Sequence, residues 1–497
     1  MKKFNLFFSL FIFLLVSFLP ACNNSSSSTA TTTTGTKITE MPATSTSKEA
    51  VATFKEGMNL LDMGDAKTAR ASFTKAIEQD PKFGLAYLMR ANIATTAKEF
   101  TDDIAKGKAN LDSASAWEKM YADYLATNLT ADRNKGIELA QKMASDNPDA
   151  ARAQAELANA YNGNNQFDKA REAYEKAIKL NPEWVGGYNG LTASYLFFEP
   201  KDLKKAEDNA LKTVSMVPKS PGAQILLGDV YRAKNDFAKA KDAYTKAVEL
   251  NKDAPEAYYK LGHSNIYLGN MEEARKNYAD GGMHDVSKIG SVINTSYTYL
   301  YAGDQSAAVK YLMNQMNTVA PDASQKNGIL NTIASIAIHT GDGATLKQVV
   351  PMIKETSAQL TKDLGNTSEA QVLATADSLH WQAMIAMADG KYEEAKAKEE
   401  AMKAALATIK DDRKLEGYYA DMGMISMKEK KYADAVTDFG KADLNLIYNK
   451  YLLAKANEAA GNKDKATALY KEVAAYNFND VGNALVRTEV RKKLSMP

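Results

Sequence analysis

The chain has 497 residues, of which 45% are hydrophobic and 25% charged, and this composition excludes a disordered protein. Its 62 Lys and Arg residues balance 61 Asp and Glu residues, and the two signs are interleaved at helical spacing, which argues against the basic stripe that nucleic-acid binding requires. A single compact core rarely grows to this size, so the length favours either several domains or one elongated repeat array.

The N-terminus has the pattern of a secretory leader. Lys2 and Lys3 precede a mostly apolar run from Phe4 to Phe18. The run is too short to span a membrane comfortably, which takes about 20 apolar residues. We therefore predict that residues 1–21 are a signal peptide.

Cys22 is the only cysteine, and it follows Leu19, Pro20 and Ala21 directly. This stretch resembles the bacterial lipobox, and the resemblance implies cleavage before Cys22 and acylation of the cysteine, which would anchor the protein to a lipid bilayer. The alternative is a chance cysteine near an ordinary signal peptide. Asn23 stands where the enterobacterial sorting rule places an aspartate to retain a lipoprotein at the inner membrane, so the outer membrane is favoured within the bacterial cell envelope.

The segment after the cysteine is rich in Ser and Thr and has almost no large apolar residue up to about Lys48. Such a composition cannot bury a core. We expect residues 22–49 to form a flexible tether between the lipid and the folded part.

Internal repetition is the strongest structural signal in the chain. Residues of the same type return at a period of about 34. The clearest unit runs from Ala151 to Pro182, and its key positions return 70 residues later, so that Ala170 corresponds to Ala240 and Tyr174 to Tyr244. One repeat of 34 and one of 36 residues account for this offset, with the extra pair in the loop at 199–201.

Within each unit, small residues stand where two helices would touch and large residues stand where they would interdigitate, which predicts helical hairpins. The pattern resembles the tetratricopeptide repeat family, with Leu157 and Tyr161 on a first helix and Ala170, Tyr174 and Pro182 in and after a second. The resemblance implies an all-α, right-handed superhelical solenoid of tetratricopeptide-like helical hairpins.

The resemblance varies along the chain. We predict a well-matched array over residues 50–283, divergent helical repeats over 284–410, and C-terminal tetratricopeptide-like repeats over 411–497. In the divergent part we expect longer helices, one of them kinked or ended by Pro351. The stretch 481–494 has the pattern of an amphipathic helix that caps the last repeat.

Catalytic motifs are absent from the sequence. None of the four histidines has a second histidine at metal-ligand spacing, and no nucleophile elbow, Walker loop, dinucleotide fingerprint or calcium loop occurs. With the single cysteine predicted to be acylated, thiolate chemistry is also excluded. We therefore expect a protein that is not an enzyme, with no catalytic residue, metal or cofactor.

In the resembled family, first-helix residues line a concave wall on which extended peptides lie. Carried over to this chain, the wall residues most suited to a protein or extended peptide are Asn159, Asn189, Asp229, Arg232, Tyr259 and His263. We expect them to be replaceable together without damage to the core. The alternative is that each is an ordinary exposed helix position.

These observations favour a lipid-anchored scaffold or assembly factor that binds other proteins in the cell envelope. A second hypothesis is a lipoprotein that captures glycans for uptake, which needs an exposed aromatic platform, although Trp117, Trp184 and Trp381 lie far apart in sequence. An enzymatic function would need an acidic pair or a cleft around His263 in the folded chain.

Overall fold

The fold is entirely helical over the residues that the computed structural model describes, which are 40–130, 132–285, 287–319 and 322–496. These residues form 25 α-helices and one 3-10 turn, Leu406–Thr408, and no strand, which confirms the predicted all-α class. The predicted signal peptide, Cys22 and most of the tether lie outside the described residues. No described helix combines the length and apolarity needed to cross a membrane.

Residue contacts divide the chain into two compact units, with the boundary between Ala257 and Tyr258. In the N-terminal unit the helices pair as consecutive hairpins. The first helices are α1 (Lys48–Asp62), α3 (Gly84–Asn92), α5 (Ala116–Thr130), α7 (Ala151–Gly163), α9 (Val185–Phe197) and α11 (Pro221–Ala233). The second helices are α2 (Ala66–Gln79), α4 (Ala97–Ala109), α6 (Arg133–Asp146), α8 (Phe167–Leu180), α10 (Leu203–Met216) and α12 (Phe237–Leu250).

The boundary falls inside α13 (Pro255–Tyr267), whose larger part belongs to the C-terminal unit. The later first helices are α15 (Ile289–Tyr301), α17 (Ala323–Thr340), α19 (Ser368–Ala388), α21 (Glu416–Lys428) and α23 (Ile447–Ala459). The second helices are α14 (Met271–His284), α16 (Gln305–Val319), α18 (Gly343–Asp363), α20 (Tyr392–Ala405), α22 (Tyr432–Phe439) and α24 (Lys463–Ala475), and α25 (Val481–Lys493) ends the chain.

Aspartate caps explain where several second helices begin. The carboxylates of Asp65, Asp132, Asp202 and Asp236 each accept a hydrogen bond from the backbone N–H three residues later. Each bond satisfies one of the backbone donors that a helix N-terminus leaves unpaired. The turns between paired helices are therefore fixed by the local sequence.

The divergent region keeps the hairpin arrangement with longer helices, as predicted. Helices α18 and α19 each have 21 residues. Pro351 lies inside α18, which continues to Asp363, so the part of the prediction in which Pro351 ends a helix is wrong.

The last residues of the predicted tether are fixed to the repeats. The backbone N–H and the hydroxyl of Thr44 donate to the Glu118 carboxylate at 2.9 and 2.7 Å. The Ser45 hydroxyl donates to Asp80. Thr44 and Ser45, which fall within the tether predicted for 22–49, are therefore bound to the repeats.

The small residues of the repeats lie in the helix contacts as the sequence predicts, since Ala170 and Ala240 have no exposed surface. We expect Ala170→Leu and Ala240→Leu each to lower the free energy of unfolding by about 1 to 3 kcal/mol, because the added atoms overpack a closed contact. Thermal and urea unfolding measure the effect. Ala238→Leu is the matched control, because Ala238 is exposed on the same helix as Ala240. Equal unfolding of all three variants and the parent would contradict the repeat register.

Candidate functional site

A tyrosine hydroxyl links the two helices of three hairpins at equivalent positions. Tyr174 donates to Asn159 Oδ1 at 2.5 Å, and Tyr244 donates to Asp229 Oδ1 at 2.6 Å. In the next hairpin the Tyr278 hydroxyl lies 2.9 Å from His263 Nδ1. In each case the first-helix partner precedes the tyrosine by 15 residues. Three of the six predicted wall residues therefore bind a tyrosine of their own hairpin.

Arg232 and Asn189, two more of the predicted wall residues, also form hydrogen bonds to other groups of this chain. Arg232 donates to Asp229 Oδ1 at 3.0 Å, and both side chains are buried. The Asn189 amide donates to the backbone carbonyl of Asp62 at 3.4 Å. Both residues therefore serve internal contacts.

Tyr259 is the member of the set that keeps partial exposure. Its hydroxyl donates to Asp285 Oδ2 at 2.9 Å. Burial, followed by the Asp285 charge, raises the pKa of the Tyr259 phenol well above its ordinary value.

The expectation that all six residues can be replaced without damage to the core is therefore wrong for five of them. Asn159, Asn189, Asp229, Arg232 and His263 are each at most 8% exposed. Removing one partner of a buried hydrogen bond costs about 1 to 3 kcal/mol, because the other partner loses water without compensation. Their predicted role in partner binding stays a prediction.

In the N-terminal unit, the turn between α1 and α2 docks on the first helices of later hairpins. Asp62 pairs with Arg152 on α7 at 3.0 Å. The Met63 carbonyl accepts a hydrogen bond from the Ser220 hydroxyl at 2.8 Å. Next to it, the backbones of Gly64 and Gly222 approach so closely that a Cβ built on Gly222 would lie 2.1 Å from the Met63 oxygen. We call residues 62–64 the docked turn.

In the C-terminal unit, α25 and the loop before it perform the corresponding role. The sequence predicts a cap on the last repeat, and helix α25 covers more than that, since it packs against α15, α17 and α23 as well as against α24. The Asn483 amide donates to the hydroxyls of Tyr267 and Tyr301 at 3.0 and 3.1 Å. Before the helix, the Asn479 amide lies 2.9 Å from His263 Nδ1. First helices of this unit are thus covered by the chain's own C-terminal segment.

Two carboxyl groups act on the Arg152 guanidinium, that of Asp62 in the docked turn and that of Glu156 on α7. Glu156, on α7, lies one helical turn after Arg152, and Asn159 donates to its Oε2 at 3.3 Å. Burial raises the pKa of Glu156 to about 7, although Arg152 opposes the shift. Burial also raises the pKa of Asp62 well above its ordinary value, again against the effect of Arg152. Both carboxyl groups are buried.

The fold also assembles a polar cluster for which the sequence shows no motif. His380, Glu399 and Asp421, from α19, α20 and α21, place one nitrogen or oxygen atom each within 4.8 Å of one another. These three residues could hold a metal ion. One sequence signal was available, since Glu399 stands four residues after Ala395, at the repeat position that Tyr174 and Tyr244 occupy after their alanines.

The three tryptophans do not form the exposed platform that glycan capture needs, because Trp117, Trp184 and Trp381 are all buried. The Arg152 guanidinium lies 5.4 Å from the centre of the Trp184 ring. The Trp381 indole donates to Asp377 at 3.0 Å. All three rings therefore serve packing.

Comparison with protein families supports the repeat assignment in three segments. Models described as Tetratricopeptide repeat match residues 54–116 and 151–183, and one described as TPR repeat matches 228–269. The second segment coincides with the unit that the sequence shows most clearly. The chain therefore contains tetratricopeptide repeats, and the matched segments lie between residues 54 and 269.

Among curated proteins, the chain is similar to the human protein O-mannosyl-transferase TMTC3. The two are 28% identical over 143 residues, a match that covers 26% of this chain and 16% of the human protein. The chain thus spans about a sixth of that relative, and the similarity carries no activity across.

Parts of the chain are also similar to several solved structures. TTC0263, a thermophilic TPR protein of Thermus thermophilus, is 19% identical with a TM-score of 0.34, covering 37% of this chain and 100% of its own. YrrB, described as a TPR protein with an unusual peptide-binding site, is 24% identical with a TM-score of 0.27, covering 38% of this chain and 96% of its own. MamA is 24% identical with a TM-score of 0.28, covering 34% and 90%.

Proposed function

We propose that this chain holds a protein partner on the first helices of its hairpins, as a scaffold anchored to a bacterial cell membrane through lipid on Cys22. The docking of α25 on first helices of the C-terminal unit carries the proposal. Asn483 binds two tyrosine hydroxyls there, and apolar residues of α25, among them Leu485 and Val486, join the core. The first helices of this unit already bind one amphipathic helix, α25, through hydrogen bonds and apolar contacts. Helices with these side chains could bind a similar segment of a partner protein in the same way.

In the N-terminal unit, Tyr188 on α9 offers an accessible surface for a partner. Arg152, Tyr188 and Gly222 stand at equivalent repeat positions, 18 residues before Ala170, Ala206 and Ala240. Arg152 and Gly222 contact the docked turn. Tyr188, which belongs to the hairpin between theirs, is partly exposed. Its hydroxyl donates a hydrogen bond to the Pro182 carbonyl at 3.2 Å. A tyrosine with an accessible face and a polar end suits protein recognition.

Site-specific photo-cross-linking in the producing cells tests this surface. Benzoylphenylalanine at position 188 replaces one aromatic ring by another, and the matched control is the same residue at position 176, where Lys176 is exposed on the second helix α8. We expect a discrete protein to be cross-linked from position 188 and not from position 176. Cross-linking from position 176 alone, or from neither position, would reject the first helices as the binding surface.

The anchoring part of the proposal has its own test in Cys22→Ser. We expect the variant to lose fatty-acid labelling and to leave the membrane fraction, because the acylated cysteine is the proposed attachment. Stable anchoring takes two acyl chains or a second signal, since one chain binds a bilayer only marginally. Labelling with a fatty-acid analogue and membrane fractionation measure the change. Persistent labelling of the variant would overturn the assignment while leaving the partner surface unaffected.

The position of the anchor follows from the residue after Cys22. Asn23 lacks the charge of an inner-membrane retention signal, so we propose the outer membrane as the location. Separation of the two membranes on a density gradient, followed by detection of the chain, tests this choice.

A further inference from the structure

The cluster of His380, Glu399 and Asp421 lies wholly inside the C-terminal unit. The side chain of His380 is 1% exposed, and Glu399 and Asp421 have no exposed surface. His380 Nδ1 lies 2.6 Å from Asp421 Oδ2. Three ionisable groups from three consecutive helices thus meet in the core.

Glu399 receives no hydrogen bond from a backbone N–H, a hydroxyl or a basic side chain within the part of the chain that the structure describes. Both of its oxygens are buried, and the Asp421 carboxyl lies within hydrogen-bonding reach of them. No Lys or Arg of the described chain pairs with Glu399 or Asp421 either. A buried carboxylate is costly unless it is paired or coordinates a metal.

The repeat register makes this carboxylate unusual. The residue four positions after the repeat alanine is aromatic in six other hairpins, where it is Phe73, Tyr174, Tyr244, Tyr278, Phe439 or Tyr470. An aromatic ring at this position packs between the two helices without an electrostatic cost. Glu399 therefore places an ionisable group where six other hairpins place a ring, and a buried charge at this position calls for a compensating ligand.

Two compensations are chemically possible, a shared proton or a cation. The two carboxyl groups can share one proton, which leaves a single negative charge on the pair. A neutral imidazole is the form of His380 that can bind a metal. A divalent cation would neutralise both carboxylates at once.

We propose that His380, Glu399 and Asp421 bind one divalent transition-metal ion, with Zn²⁺ as the best match. One imidazole and two carboxylates form a ligand set that Zn²⁺ accepts, and the order of affinities places Zn²⁺ above Mn²⁺ and Fe²⁺ for such a site. Because the ligands come from α19, α20 and α21, the ion ties two successive hairpins together. Full burial of the carboxylates gives it a structural role.

Neighbouring groups hold the imidazole in place. The Trp381 ring meets the His380 ring edge to face, with centroids 4.6 Å apart. The Asp377 carboxylate, one turn before Trp381, accepts hydrogen bonds from the Trp381 indole and the Ser357 hydroxyl, both at 3.0 Å. A ligand side chain fixed in this way loses little conformational freedom on binding a metal.

Metal titration of the full chain, purified without a polyhistidine tag and freed of metal with a chelator, tests the site. We expect one Zn²⁺ per chain by calorimetry and by elemental analysis, together with a higher midpoint of thermal unfolding. Glu399→Gln keeps the shape of the side chain and should weaken binding by at least about tenfold. Glu394→Gln is the matched control, because Glu394 is exposed on the same helix, and it should bind as the parent does.

Two further measurements distinguish the loss of a metal ligand from the loss of the fold. Circular dichroism reports the helical content of each variant, and Asp421→Asn provides a second removal of a ligand charge. Zinc-edge X-ray absorption of the unaltered protein should give a shell of nitrogen and oxygen with an imidazole contribution. The proposal would be overturned if the parent protein bound no more Zn²⁺ than the Glu399→Gln variant, or if the zinc shell contained no imidazole. Glu399 and Asp421 would then be assigned a shared proton.

Discussion

Replacing Gly222 with alanine is expected to loosen the docked turn from α11 and to lower the free energy of unfolding of the chain by about 1 to 3 kcal/mol. The added Cβ would lie 2.1 Å from the Met63 carbonyl oxygen and 2.8 Å from the Gly64 Cα. Both are backbone atoms, so no side chain can rotate away. Relief requires the turn to move, which also strains the bond from the Ser220 hydroxyl to Met63.

Gly163→Ala is the matched control for this variant. Gly163 is the last residue of α7, and a Cβ built there meets no atom within 4 Å. Its stability should stay equal or rise slightly, since alanine favours a helix over glycine. Urea unfolding measures the stability, and hydrogen exchange at Met63 and Asp65 reports the turn itself. Unchanged exchange in Gly222→Ala would mean that the turn does not dock on α11 in solution.

The second large effect concerns Glu156 and pH. Its pKa in the folded chain is about 7, above the value of about 4.5 that it has when unfolded. Between these values the folded state holds a proton that the unfolded state has lost. The contribution of Glu156 to stability is therefore fully present below pH 4.5, declines as the pH rises towards 7, and is constant above that.

The difference between the folded and unfolded pKa values of Glu156 sets how far the free energy of unfolding falls. The difference between a pKa of 4.5 in the unfolded chain and of about 7 in the folded chain corresponds to on the order of 3 kcal/mol of unfolding free energy. Asp62 acts in the same direction, because burial raises its pKa too. The charged and titratable groups that interact with Glu156 are Arg152 on the same helix, Asp62 of the docked turn, and the phenols of Tyr121, Tyr124 and Tyr174 on α5 and α8.

Glu156→Gln removes this titration, so the variant should gain on the order of 3 kcal/mol relative to the parent between about pH 4.5 and 7.5. Urea unfolding at about pH 4.5, 6.0 and 7.5 gives the difference between the two proteins. Glu172→Gln, at an exposed position on α8, is the control for removing a carboxylate. A parent and a Glu156→Gln variant that keep the same difference at all three pH values would contradict the assignment.

Sequence alone predicts the parts of this fold that are local. The hairpin of α7 and α8 follows from residues that are close in sequence, and its turn, its alanine contacts and its tyrosine all lie where the pattern places them. The aspartate caps are equally local. Such features are readable because side-chain spacing along one or two helices decides them.

Contacts between distant repeats are not readable in the same way. Asp62 meets Arg152 across 90 positions, and Asn483 meets Tyr301 across 182. Both contacts depend on which hairpins the stacking brings together. For the same reason, Asn159, Asp229 and His263 look like exposed wall positions in the sequence, whereas each binds a tyrosine in the fold. The site around Glu399 could be predicted only in part. The repeat position of Glu399 is visible in the sequence, whereas its proximity to His380 and Asp421 depends on how α19, α20 and α21 pack.

The docked turn also limits how the N-terminal unit can change in evolution. An open repeat array tolerates the gain or loss of a repeat, because each repeat contacts only its neighbours. Here Asp62 and Met63 bind α7, α9 and the residue that caps α11, several hairpins further along the chain. Inserting or deleting one hairpin between them would carry Arg152, Asn189 and Ser220 away from the turn together. These contacts of the docked turn therefore fix the number of hairpins in this unit. We expect homologous chains to differ in loop length rather than in the number of repeats.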